Sequence, residues 1–161
     1  MQLHEIRTNG LGTTWELDIY TDALPTHITT DIDKLITDFE HKYTRFNSQS
    51  YLQQLTHKPQ TVTLDEQTIT LLNLYHSLYQ HTDGHLTPLI AHTLIQAGYD
   101  AQYTLTPQAH LTPPPQWEDV FIYAPPQLTI KTPAALDFGA IGKGYLIDQL
   151  SSYLISQQLT T

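Results

Sequence analysis

The apolar positions Ile28, Ile32, Leu35, Ile36, Phe39 and Tyr43 recur at helical spacing. Asp31, Asp33, Lys34, Asp38 and Glu40 fill the other face, which predicts an amphipathic helix over 28–43. Upstream the period changes: Trp15, Leu17 and Ile19 alternate with Glu16 and Asp18, the pattern of a half-buried strand. Asn9-Gly10 before it predicts a type I′ turn, because both central residues must take φ > 0. The N-terminus therefore reads as a hairpin, closed by Pro25. Ser48 is the expected N-cap of a short helix over 48–56. Thr63-Leu64-Asp65-Glu66 reads as a capping box opening a third helix, with Ile69, Leu72, Tyr75 and Tyr79 on one face, broken at Thr82-Asp83-Gly84. Thr87-Pro88 opens the next helix, and Gly98 ends it as a left-handed residue. Pro107, Pro113, Pro114 and Pro115 make 104–118 a surface loop. Two short strands are expected at 120–123 and 128–131, around Pro125-Pro126. Residues 136–144 then lead from a strand end into a helix carrying Ile147, Leu150 and Leu154. Strands and helices mix without strict alternation and without an internal repeat, so the expected class is α+β.

Composition narrows the chemistry. The chain has 161 residues, 16 acidic against 7 basic side chains, nine histidines and no cysteine. A net charge of −9 argues against a nucleic-acid surface, which needs a basic footprint. Without cysteine there is no disulfide framework, no thiolate zinc site and no thiol catalysis. No run approaches the ~20 apolar residues of a membrane span. The start, Met1 to Arg7, lacks the layout of a signal peptide, so the expected location is cytoplasmic, or periplasmic or cell-surface if a leader has been removed.

Three segments can carry chemistry. In Asp137–Gly144 the glycines 139, 142 and 144 allow close backbone approach, and a helix start offers free N–H groups to an anion. Lys143 adds a cation, and Asp137 can bind a ribose or base donor, or a metal. It is neither a P-loop nor a dinucleotide fingerprint: Asp137, Gly144 and Ile147 stand where those motifs need other residues. A plain glycine-rich connection fits the local pattern equally well. His81 and His85 are four apart, with His92 beyond, but Asp83-Gly84 between them argues against a zinc-binding helix. Tyr43-Thr44-Arg45-Phe46 ends the strongest helix, with a ring able to stack on a planar ligand or simply to close a core.

The order of these segments carries more than any one of them. Leu11-Gly12-Thr13-Thr14-Trp15, then Tyr43-Thr44-Arg45-Phe46 with Ser50, then Thr82-Asp83-Gly84 with Pro88, then Leu136-Asp137-Phe138-Gly139-Ala140-Ile141-Gly142-Lys143-Gly144-Tyr145 follow one another along the chain. This resembles the ApbE family, the FAD:protein FMN transferases formerly called thiamine biosynthesis lipoproteins. The matching patterns are M-G-T-x-W, F-S-R-F/Y with S-E-L, T-D-G-x-F-D-P and D-x-G-x-x-A/G-K-G-Y. The resemblance implies an ApbE-like fold of mixed and antiparallel strands with several helices, of which residues 1–161 form the N-terminal portion with no separate second domain. It implies transfer of FMN from FAD to a threonine of an acceptor flavoprotein, with Mg²⁺ and release of AMP. The implied flavin contacts are Leu11, Phe46, His85, Leu86, Thr87, Asp137 and Lys143, and the implied metal contact is the Ala140 carbonyl. The chain departs from the pattern at Leu11 (for methionine) and at Thr87 (for aspartate), and His85 stands where the family's residue is usually small. The family's metal-binding carboxylate and threonine lie in a second half that the resemblance does not reach. A second-half polypeptide, an omitted remainder of this chain, or a further copy of the chain is therefore expected to complete the activity. The alternative is a non-catalytic FAD-binding or regulatory remnant, and after that a protein-pairing scaffold.

Overall fold

The computed structural model describes residues 1–159 and is α+β, with antiparallel strands and six α-helices among them. The chain divides into two compact units, Met1–Lys42 with Gly142–Thr161, and Tyr43–Ile141. The boundaries fall at the end of one helix and just inside another.

In the first unit, β1 (Gln2–Gly10) and β2 (Thr13–Thr21) pair antiparallel in a two-stranded ribbon, with Ile6 opposite Leu17 and Thr8 opposite Trp15. The turn sits two residues later than Asn9-Gly10 predicts. Leu11 and Gly12 take φ of 51° and 71°, and Asn9 and Gly10 belong to the strand. Tertiary packing explains the displaced glycine: a Cβ at Gly10 would lie 2.3 Å from Ile36 Cγ2. Helix α1 (His27–Tyr43) supplies Ile28, Ile32, Ile36 and Phe39 to the core, as its periodicity predicts. Helix α6 (Gly139–Ser156) contributes Leu146, Leu150 and Leu154. Ile6, Trp15 and Ile19 complete the buried set from the ribbon, and the Trp15 indole donates to the Gly10 carbonyl at 3.0 Å. Tyr153 donates to Asp31 at 2.5 Å, tying α6 to α1.

The second unit holds a three-stranded antiparallel sheet in the order β3 (Gln60–Thr63), β5 (Gln127–Ile130), β4 (Phe121–Ala124). Strand β3 was not expected. Four residues are too few to show a period, and its partner lies more than 60 residues away. Helix α2 (Tyr51–Thr56) is capped by Ser50, not Ser48, and α3 (Glu66–His81) by Asp65, not Thr63. The aspartate caps the helix because Thr63 is committed to the strand. A 3₁₀ turn, Pro88–Ile90, capped by Thr87, runs into α4 (Ala91–Gln96), which Gly98 ends at φ 92°. The expected loop ends earlier than its prolines suggest, because α5 (Trp117–Val120) buries Trp117 and Val120. Leu71, Leu72, Tyr75, Leu89, Leu128, Ile130 and Leu136 form the centre of this unit.

Candidate functional site

The second unit brings three of the four matching segments together. The chain leaving α1 is fixed by Ser50, whose hydroxyl donates to the Thr44 carbonyl at 2.7 Å while capping α2. The Phe46 amide donates to the Thr44 hydroxyl at 3.2 Å. These bonds hold Arg45 inward and leave Phe46 half-exposed. Arg45 Nε pairs with Asp137 Oδ2 at 2.7 Å, and the two side chains are only 9% and 15% exposed. The guanidinium carbon sits 4.1 Å from the centroid of the Phe46 ring. One nitrogen of that guanidinium, Nη1, is buried and has no hydrogen-bond partner. A buried cation with an unspent donor is a costly arrangement unless something supplies an acceptor.

Asp137 is held on several sides. Its amide donates to the Pro88 carbonyl at 2.8 Å, which fixes it beside the Thr87-Pro88 segment. Its carbonyl accepts from the Tyr75 hydroxyl at 3.1 Å, and Oδ1 accepts from the Gly139 amide at 2.7 Å. Gln53 donates to the neighbouring Leu136 carbonyl at 3.3 Å. Phe138 is wedged between Tyr43 and Tyr75, with ring centroids 5.4 and 5.3 Å away. Burial, and secondarily the Asp137 charge, pushes the Tyr75 hydroxyl well above the usual phenol range, so it stays a neutral donor.

The glycine-rich segment differs from its sequence reading. The residues leading into it, 131–138, are not strand, and all three glycines lie inside α6. Gly142 serves packing in the first unit, where a Cβ would meet the Phe39 ring at 3.4 Å. The first-turn amides are already engaged, since Gly139 donates to the Asp137 carboxylate and Ala140 and Ile141 lie against the Tyr75 hydroxyl. The helix start is therefore filled by the protein's own groups and is not an open anion cradle.

The remaining expected residues divide. Thr87 is buried, and its hydroxyl accepts from the Leu89 amide at 3.2 Å, which gives this threonine a capping role. The Leu86 amide donates to the Thr82 hydroxyl, and His85 is exposed. In the first unit, Leu11 occupies the hairpin tip with a left-handed backbone. Lys143 is exposed and lines a groove of about 530 Å³ with Thr13 to Asp18, Ile147 and Leu154. Ala140 is in the first turn of α6. Among the described residues no group of three or more His, Asp or Glu side chains converges. A divalent cation that demands several oxygen ligands is therefore not held by this donor set. His81 and His85 do not share a helix, as expected from Asp83 and Gly84. Arg45, Tyr75 and Gln53 were missing from the expected site set; for Arg45 the signal was its place in the Tyr43–Phe46 match, whereas Tyr75 and Gln53 gave none.

No helix among the described residues is long and apolar enough to cross a membrane. A search of curated proteins finds no match to the chain. Solved structures do match. The flavin transferase ApbE from Vibrio cholerae superposes with a TM-score of 0.80 at 18% identity, covering 98% of this chain and 55% of that one. The ApbE protein from Thermotoga maritima gives 0.77 at 21% identity, covering 96% and 53%. The apo flavinyl transferase ApbE from Pseudomonas stutzeri gives 0.75 at 15% identity, covering 98% and 56%. The chain thus spans about 55% of the length of the structures it matches, their N-terminal portion. The family profile that matches residues 11–161 is that of ApbE, and the chain belongs to the ApbE family.

Proposed function

We propose that this chain carries the flavin-dinucleotide-binding part of an FAD:protein FMN transferase. The observation that carries the reading is Arg45, which ties Phe46 and Asp137 to one buried guanidinium and keeps one donor unspent. A half-exposed ring beside a donor suits a planar ligand that bears carbonyl or phosphate oxygens. In the proposed reaction a threonine hydroxyl of the acceptor attacks the FMN-side phosphorus of FAD. The new P–O bond replaces the phosphoanhydride bond, AMP departs, and the hydroxyl proton is released. Leu11, His85, Leu86, Thr87 and Lys143 are the further proposed dinucleotide contacts, and Ala140 offers a carbonyl toward Mg²⁺. The metal's other ligands come, in this reading, from the family's second half, whether on a partner polypeptide or on a remainder of the same chain. Thr87 favours a second reading: its hydroxyl is spent on a helix cap where the family pattern has a carboxylate, as suits an FAD-binding protein without transfer activity.

The test mixes the chain with FAD, Mg²⁺ and an acceptor bearing the target threonine, with and without a polypeptide carrying the metal-binding half. Flavinylated acceptor and AMP in the complete mixture alone are the expected result. FAD binding without AMP in any mixture overturns the transferase reading in favour of the binding protein. Absence of FAD binding overturns both.

A further inference from the structure

We propose that Tyr103 is a second aromatic wall of the ligand site, gripping a planar ring of the bound dinucleotide together with Phe46. This rests on the reading above and adds a residue that no sequence pattern assigns. Tyr103 lies in the long segment between α4 and α5, yet its ring centroid is 5.7 Å from that of Phe46, with the planes inclined at 45°. Both rings are open to solvent, at 53% and 42% exposure. The inclination leaves an open corner in which a flat ring that stacks on one aromatic face meets the other at a tilt.

The backbone is built to hold this ring. The Asp100 carboxylate accepts from the amides of Gln102 and Thr104 at 3.0 and 3.1 Å and from the Thr104 hydroxyl at 2.7 Å. The Tyr103 amide donates to the Asp100 carbonyl, and Leu105 donates back to Gly98. The turn closes so tightly on Gly98 that a Cβ there would lie 2.5 Å from the Thr106 nitrogen. Tyr103 is left at φ 49°, a left-handed conformation that costs a side-chain-bearing residue about 1–2 kcal/mol. Leu105 in the same loop shares the left-handed backbone and the exposure, at φ 51° and 63%; what sets Tyr103 apart is its ring against Phe46 beside the Arg45–Asp137 pair.

The experiment titrates the full chain and its variants with FAD, FMN and AMP, following flavin fluorescence for the first two and heat for the third. Tyr103→Ala should weaken FAD binding roughly 5- to 150-fold, the range of one stacked ring, and Tyr103→Phe should keep it. A loss in the FMN arm assigns the ring to the isoalloxazine, and a loss in the AMP arm assigns it to the adenine. Tyr103→Asn separates binding from folding: its urea midpoint should stay level or rise as the strain eases, while FAD binding falls. Wild-type affinity in Tyr103→Ala overturns this proposal alone. A wild-type chain that binds none of the three nucleotides overturns it together with the function proposed above.

Discussion

Arg45→Met is expected to remove about 3–5 kcal/mol of stability from the second unit, the usual cost of taking one partner from a buried ion pair. Methionine roughly keeps the volume over Phe46, so the loss is electrostatic. Asp137, 15% exposed in the intact pair, would be left with only the Gly139 amide on its carboxylate. For a domain whose whole stability is about 5–15 kcal/mol, this is roughly a fifth or more. Urea unfolding followed through the buried Trp117, which lies in the same unit, measures it. Adding Asp137→Asn to Arg45→Met should recover a large part, because the neutral amide oxygen still accepts from Gly139 without an unpaired charge. A loss below about 1 kcal/mol in the single variant would show the pair to be as weak as a solvated one.

Phe138→Ala is expected to cost about 3–5 kcal/mol, the range for deleting a buried phenyl ring. The ring is 4% exposed and fills the gap between Tyr43 and Tyr75. Both tyrosines are anchored at their hydroxyls, to Thr68 and to the Asp137 carbonyl, so neither moves easily into the vacated space. Phe138→Leu should lose appreciably less, since most of the volume is retained. Because Asp137 and Gly139 flank this residue, FAD binding should fall in Phe138→Ala at temperatures where the variant is still folded. Unchanged binding and a urea midpoint within error of wild type would remove Phe138 from the support of the site.

Long periodic elements were readable in the sequence because their burial repeats along them: α1 buries Ile28, Ile32, Ile36 and Phe39 as its spacing predicts. Glycines misled wherever tertiary packing, not backbone conformation, had selected them. Gly10 makes room for Ile36 and Gly142 for the Phe39 ring, yet their positions imitated a turn and a ligand loop. Strand β3 was invisible because its four residues owe their state to β5, not to their own pattern. At the site, the collinear segments pointed to Phe46, Thr87 and Asp137, which the second unit joins through Arg45 and the Pro88 carbonyl. Tyr103 left no trace in the sequence, because both its backbone conformation and its contact with Phe46 depend on the folded loop.

The β1–β2 ribbon has one further consequence, for the colloidal behaviour of the protein. A two-stranded sheet has an outer edge on each strand, and each edge offers unpaired backbone groups as a template for another chain. Here the exposed positions carry Glu5 and Asp18 beside an Arg7–Glu16 ion pair, on a molecule of net charge −9, so net like-charge repulsion guards those edges at neutral pH. That guard is a solution property, not a fold property. It fades toward the isoelectric point near 5.2 and is screened by salt, whereas the open edges remain. Neutral, low-salt buffers are therefore the conditions in which the ribbon keeps itself apart.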